Sequence, residues 1–186
     1  MSDETLLLER ARRFEEQALE EIYNDHSPGI YRYAMRLLGD QDLAEESVAE
    51  TFSRFLTALK NEGGPRENLR AYLYRVAHNW ITDYYRRQPP PTVALNPDVT
   101  DGQENDPEQT LVENIEAQAV RQALRYLTPG QQQVIVLKFL EGWRNDQIAK
   151  AMEMPVGAVK SLQHRGLKSL KRILVGRNEE QFDEEF

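Results

Sequence analysis

The spacing of apolar residues predicts helices along most of the chain. Apolar side chains recur at three- and four-residue intervals, and no pair of alternating segments flanks a hairpin turn. The run VIVLKFL over residues 134–140 is β-branched and also fits a buried strand, but the helix-start signals before it favour a helix. We therefore predict an all-α chain, with helices over 4–24, 30–38, 43–59, 69–87, 111–127 and 130–140, and two more within 145–172.

Helix-start and helix-stop signals separate these segments. Ser27-Pro28 predicts a break after the first segment, because proline disfavours the helical conformation of the residue before it. Polar side chains before the later helices predict N-caps, which accept a hydrogen bond from an otherwise unpaired backbone N–H. The predicted caps are Asp42, Asn68, Thr128 and Asn145.

The composition changes sharply at residue 89. Residues 89–109 contain five Pro and many acids with little apolar periodicity, which is typical of a linker. We therefore predict two small helical domains over 1–88 and 111–177, joined by a flexible, Pro-rich acidic linker over 89–110. The last residues, 178–186, form an acidic tail.

Residues 145–172, NDQIAKAMEMPVGAVKSLQHRGLKSLKR, predict a helix-turn-helix. Pro155 cannot continue the first helix but suits the first turn of the second. Residues 156–177 hold six Lys or Arg and no acid. A helix-turn-helix places its second helix in the major groove, where Arg and Lys reach base edges and phosphates. The pattern favours duplex DNA binding, and a solvated basic helix in an all-helical domain is the alternative.

Although the net charge is −8, the sequence contains two basic segments. Acids concentrate in residues 1–25, 96–118 and 179–186, whereas basic residues concentrate in 66–87 and 156–177. Because affinity for nucleic acid depends on local neutralisation of phosphates, this separation is compatible with DNA binding. The acidic segments should weaken non-specific binding by the free protein.

The helix predicted over 69–87 combines a core stripe with a polar face. That face mixes arginines, amides and aromatic rings, which suits single-stranded nucleic acid, since bases stack on aromatic rings while Arg follows the backbone. The alternative is that these aromatic residues belong to the core.

Nothing in the sequence predicts catalysis. The three histidines are far apart, Cys is absent, and there is no Gly-rich phosphate loop or nucleophile elbow. We therefore predict no enzyme activity, no catalytic residue, no metal site and no cofactor.

The N-terminus does not resemble a signal peptide, and no apolar run approaches the ~20 residues that span a membrane. We expect no membrane insertion and a cytoplasmic location.

In their order along the chain, the motifs resemble an extracytoplasmic-function sigma factor of the sigma-70 family. ALEEIYNDHSPGIYRYAMRLLGD and DLAEESVAETFSRFLTAL are similar to the helices that open the family's second domain. NLRAYLYRVAHNWITDYYRR resembles its promoter-melting helix. LTPGQQQVIVLKFLEGWRNDQIAKAM, followed by PVGAVKSLQHRGLKSLKR, resembles its fourth domain.

The resemblance implies a transcription initiation factor that binds core RNA polymerase and recognises and opens a promoter. The expected partners are the β′ clamp helices and the β flap of the polymerase, promoter DNA, and an anti-sigma factor. The residues that the resemblance places at the polymerase contact are acidic or aromatic and share one predicted helix. They are Asp42, Glu45, Glu46, Glu50, Phe52 and Phe55.

The resemblance also implies two sets of DNA contacts. The loop over 60–67 corresponds to the one that captures a base flipped from the −10 element, and flipping costs a few kcal/mol of stacking, to order of magnitude. The helix after it holds the non-template strand. The −10 set is Lys60, Asn61, Arg66, Arg70, Arg75, His78, Asn79 and Arg86. The −35 set is Lys160, Ser161, His164, Arg165 and Lys168.

Two other functions fit parts of the sequence. A DNA-binding regulator would use the helix-turn-helix without serving as a sigma factor, and a helical adaptor would have no DNA role. The second helix also departs from the common family order at Leu162, Gln163, Gly166 and Leu167, where two arginines of the family are missing. The sequence therefore does not predict which bases of a −35 element are read.

Overall fold

The computed structural model describes residues 2–88 and 117–183, with side chains through residue 175. The described residues are helical and contain no strand, which confirms the all-α prediction. The predicted linker, the start of the helix predicted over 111–127 and the last residues of the tail lie outside the described residues. The helices are α1 Asp3–Arg12, α2 Glu16–Leu38, α3 Gln41–Lys60, α4 Leu69–Arg87, α5 over 117–125, α6 Pro129–Ile135, α7 Asn145–Met152 and α8 Val156–Asp183.

The boundary between the first two helices differs from the prediction. The chain turns at Phe14, whose φ is 56°, and the helix predicted over 4–24 is two helices. The break predicted at Ser27-Pro28 is wrong, because α2 continues through Pro28. Proline removes one helical hydrogen bond. The apolar face of α2, from Ala18 to Leu37, is nevertheless buried on both sides of Pro28, and this packing keeps the helix continuous.

Two predicted caps lie one or two residues later than the observed cap positions. Asp40, not Asp42, caps α3, since its Oδ1 accepts from the Leu43 N–H at 2.9 Å. Asn145 is the first residue of α7 rather than its cap, and the N–H of Arg144 donates to Gln147 Oε1 at 2.9 Å.

The other two predicted caps have different outcomes. The Thr128 cap is confirmed, with Gln131 completing a reciprocal capping box at the start of α6. Asn68 occupies the cap position of α4, but its side chain makes no capping hydrogen bond and its φ is 55°. The carboxylate of Glu4 accepts from the backbone N–H groups of Asn68 and Leu69 instead.

The first half of the chain is a bundle in which α2, α3 and α4 pack on one another and α1 packs on α2 and α3. Its core includes Tyr33, Phe55, Leu73 and Ile81, all with less than 2% of their surface exposed. Tyr74, one of the aromatic rings of the predicted polar face of α4, is also buried, so for this ring the alternative of a core residue holds.

The second half packs α6 and α7 against α8. The VIVLKFL run is helical, as predicted, but only part of it is α-helix. Residues Val136–Leu140 form a π-helical turn, closed by a hydrogen bond from Glu141 N to Val136 O at 3.0 Å. Gly166 lets α8 approach α6 closely, because a Cβ there would lie 3.0 Å from Ile135 Cγ1.

Candidate nucleic-acid interface

The −35 set lies on one exposed arc of α8. Lys160, Ser161, His164, Arg165 and Lys168 are all exposed. At about 100° per residue, their spacing confines them to about 140° of the helix circumference. On the other side of α8, Val159 and Gly166 are buried against the rest of the second half. Two apolar residues of the same helix, Val156 and Leu167, are exposed although their spacing would suit an inward stripe.

The turn before α8 fixes this arc. Glu153 ends α7 with a φ of 52°, and Met154 N donates to Ala149 O at 3.0 Å. Pro155 O then accepts from the N–H groups of the first turn of α8. Ile148, fully buried on α7, holds the first helix of the pair against the core. The predicted helix-turn-helix therefore has its two helices joined by a rigid turn.

The proposed polymerase-contact set divides into exposed acids and buried rings. Asp42, Glu45 and Glu46 are exposed, and Glu50 is half-buried beside Arg54 at 3.2 Å. Phe55 is only 1% exposed and Phe52 8%, so these two rings serve mainly as packing. Together with Leu19, Tyr23 and Leu56 they line a groove of ≈ 470 Å³ between α2 and α3.

The structure does not bring the whole −10 set to one accessible surface. Lys60, Asn61, Arg66, Asn79 and Arg86 are exposed, and Arg86 pairs with Asp83 at 2.9 Å. His78 is wrongly predicted as accessible, because it is 2% exposed. Arg70 is also exposed, although it lies over the ring of Trp143, and Arg75 is half-buried and pairs with Glu153.

Among the described residues, no group of three or more His, Cys, Asp or Glu side chains could hold a metal ion. In that same part of the chain, no helix has the length and apolar character needed to cross a bilayer.

Comparison with known proteins assigns both halves. Residues 22–89 match the family profile of Sigma-70 region 2, and residues 117–170 match that of Sigma-70, region 4. The ECF RNA polymerase sigma factor SigL of Mycobacterium tuberculosis is 32% identical over 157 residues, which cover 82% of this chain and 86% of SigL. This chain belongs to the extracytoplasmic-function group of the sigma-70 family.

Other relatives agree with this assignment. The ECF sigma factor BldN of Streptomyces coelicolor is 30% identical over 175 residues, which cover 90% of this chain but only 64% of BldN. The structure of CnrH in complex with the cytosolic domain of CnrY covers 92% of this chain at a TM-score of 0.68 and 21% identity. The sigma factor RpoE of Bartonella quintana, solved with the anti-sigma factor NepR, covers 86% at a TM-score of 0.54 and 20% identity. These two structures share the fold of this sigma factor.

The contact between the two halves was not foreseen from the sequence. Arg36 on α2 pairs with Glu141 at 3.0 Å, and the Tyr74 hydroxyl donates to the same carboxylate at 3.3 Å. Arg70 lies over the ring of Trp143 at 4.5 Å, and Arg75 pairs with Glu153. The only sequence signal was an isolated Trp next to Glu141-Gly142 at a helix end, which periodicity does not connect to α4.

His78 lies between the two halves, with one ring nitrogen bonded to Tyr33 of its own half and the other to Pro129 of the second half. Its Nε2 lies 3.1 Å from Pro129 O, which can only accept, so Nε2 carries the proton. Its Nδ1 then accepts from the Tyr33 hydroxyl at 2.7 Å. Burial lowers the pKa of His78 from 6.5 to about 4, against the raising effect of the Pro129 carbonyl. The neutral imidazole is the form that this structure holds.

This environment predicts acid-sensitive stability. In the unfolded chain His78 binds a proton near pH 6.5, whereas in the folded chain it does so only near pH 4. The unfolded state therefore binds more protons between these values, and stability falls as pH falls through this window. We expect His78 to contribute a loss of about 2 kcal/mol between pH 7.5 and pH 5. Urea unfolding at pH 7.5 and at pH 5 measures this difference in the free energy of unfolding.

The matched variant is His78→Asn, which has a polar side chain that does not titrate. It should be less stable than the parent at pH 7.5, and its stability should change less between the two pH values. Equal pH dependence in the two proteins would show that His78 does not titrate as described.

Proposed function

We propose that this sigma factor binds core RNA polymerase and recognises a −35 element through α8 and a −10 element through its first half. The first half also separates the two DNA strands at the −10 element. The observation that carries the −35 assignment is the single exposed arc of basic and polar residues on α8, opposite a buried face. In this proposal the chain supplies recognition and melting, and the polymerase supplies the catalysis.

Docking on the polymerase is assigned to α3. Asp42, Glu45 and Glu46 present carboxylates from the first turns of that helix, and the groove beside Phe52 offers apolar surface. A basic helical partner surface such as the β′ clamp would match this combination of charge and shape. The β flap is assigned to the second half by family resemblance. By the same resemblance, an anti-sigma factor is the expected inhibitor.

Reconstitution tests the proposal as a whole. Purified chain added to core polymerase should produce transcripts from promoters selected in the host genome, and core polymerase alone should not. Sequence-specific duplex binding without any such transcript would instead support the regulator, and the absence of both would support the adaptor.

The −35 assignment predicts the effect of two substitutions. Lys160→Ala and Arg165→Ala should each reduce initiation about five- to hundredfold, because a base-edge contact is typically worth about 1–3 kcal/mol. Initiation rates on a selected promoter provide the measurement. Arg13→Ala removes the same charge from an exposed position on the first half, where Arg13 contacts only Glu15 among the ion pairs described, and should leave the rate unchanged. Full activity of both α8 variants would refute the docking.

The −10 assignment requires the two halves to separate on the promoter. His78 is 2% exposed and lies against Pro129 of α6, so it cannot contact a DNA strand in this arrangement, and Arg70 and Arg75 are already engaged by Trp143 and Glu153. Glu153 is 71% exposed, so exchange of its pairing with Arg75 for a phosphate contact is inexpensive. Trp143 is 3% exposed, so loss of its packing must be offset by the contacts that polymerase and DNA supply. Bound polymerase and DNA would favour the separated arrangement by making contacts available only to it.

Crosslinking tests this separation. The chain has no Cys, so Arg36→Cys combined with Glu141→Cys creates one reactive pair across the interface, outside both DNA-contact sets. Joining the pair with a reducible bismaleimide should abolish initiation, and cleaving the linker should restore it. The same protein before and after reduction is the control, since it carries both substitutions throughout. Undiminished initiation by the crosslinked protein would contradict the separation.

A further inference from the structure

The loop between α3 and α4 is held by the last residue of α1. The Arg12 guanidinium reaches three successive backbone carbonyls: Nη1 donates to Gly63 O at 2.7 Å, and Nη2 donates to Gly64 O and Pro65 O at 3.3 and 2.9 Å. A guanidinium carries five N–H donors in a planar fork, which suits convergent acceptors better than an ammonium does. The contacts span more than fifty residues of sequence, so they fix the loop relative to α1.

The backbone of the loop is shaped so that these carbonyls converge. Gly64 has a φ of +79°, which a side chain would strain, and a Cβ there would lie 3.2 Å from Leu59 Cδ2. Beyond the end of α3 at Lys60, Gly63 N donates to Ala58 O at 2.8 Å and ties the loop to the last turn of that helix. Pro65 is buried. The loop therefore has one defined conformation on the side that faces α1.

The other end of the loop is held by the first turn of α1. Glu4 Oε2 accepts from Asn68 N and Glu4 Oε1 accepts from Leu69 N, each at 3.0 Å. Asn68 itself makes no side-chain cap, so this carboxylate satisfies backbone donors at the start of α4. A negative charge at that position also interacts favourably with the helix dipole.

The two anchors are rigidly related to each other. Glu4 and Arg12 lie eight residues apart, about two turns along one helix. Between them Leu8 and Ala11 are 1% and 0% exposed, which fixes α1 on the bundle. The segment between the anchored points contains Arg66, exposed to solvent. One helix thus sets both ends of a loop whose middle is accessible.

We propose that α1 is a positioning element for recognition of the −10 element, with Arg12 and Glu4 setting the shape of the loop over 60–67 that captures the flipped base. This inference rests on the proposed function of the first half. Neither residue needs to contact DNA. A preformed loop lowers the cost of capture, because the ordering of the backbone is completed before the base arrives.

The test uses holoenzyme and a promoter selected with the unaltered protein. Arg12→Met should slow open-complex formation at least about tenfold, since it removes charge-assisted hydrogen bonds, and Arg12→Lys should give an intermediate rate. Arg13→Met, one residue further along, is the matched control and should behave as the parent, because Arg13 is exposed and pairs with the nearby Glu15. Glu4→Gln should slow opening, whereas Glu9→Gln on the exposed surface of the same helix should not.

Two further measurements separate positioning from general destabilisation. Amide hydrogen exchange in residues 63–69 should accelerate in Arg12→Met while the amides of α2 and α3 keep their protection. Affinity for core polymerase should be unchanged.

The outcomes distinguish this inference from the proposed function. If the unaltered protein directs initiation and Arg12→Met opens DNA as fast as Arg13→Met, the positioning role is overturned and the proposed function stands. Unchanged exchange in residues 63–69 would also overturn it. If the unaltered protein directs no initiation, the proposed function fails, and the positioning role fails with it.

Discussion

The arrangement of the two halves depends on two buried hydrogen bonds that link Tyr33 through His78 to Pro129. Tyr33 lies at the centre of the first bundle, and Pro129 is the first residue of α6. His78 can serve both neighbours only as a neutral ring with its proton on Nε2. Since buried polar groups are costly when unpaired, these two hydrogen bonds stabilise one relative position of α2, α4 and α6.

Around these hydrogen bonds, the two halves are joined by side chains whose chemistry is also suited to binding nucleic acid. The arginines of α2 and α4 meet a carboxylate, an indole ring and a second carboxylate. Carboxylates resemble phosphates in charge, and an indole resembles a base in offering a π-face to a guanidinium. The second half therefore occupies part of the α4 surface with chemistry similar to that of a DNA strand. In the proposed mechanism, promoter DNA replaces the contacts of the two α4 arginines with contacts of the same chemical kind.

Where the partner is near in sequence, local signals located helix starts to within one or two residues. The Thr128–Gln131 box lies within one turn, and the exposed arc of α8 follows from its own periodicity. The sequence failed where a distant residue decides. Pro28 is tolerated because the buried face of α2 continues past it, Asn68 is replaced by Glu4 as the cap of α4, and His78 is buried by a helix beyond the linker. Periodicity identifies which face is apolar, but not which helix covers a polar one.

The π-helical turn at Val136–Leu140 makes the geometry of the second half depend on the number of residues in that turn. A π-turn accommodates one residue more than an α-turn, so the chain after it is rotated by about 100° relative to a continuous α-helix. That rotation helps direct Trp143 towards α4, with Trp143 N donating to Leu137 O at 2.9 Å. Removing one residue from the turn would leave every downstream side chain intact yet aim the indole elsewhere. Here the count of residues, more than their identity, specifies the contact.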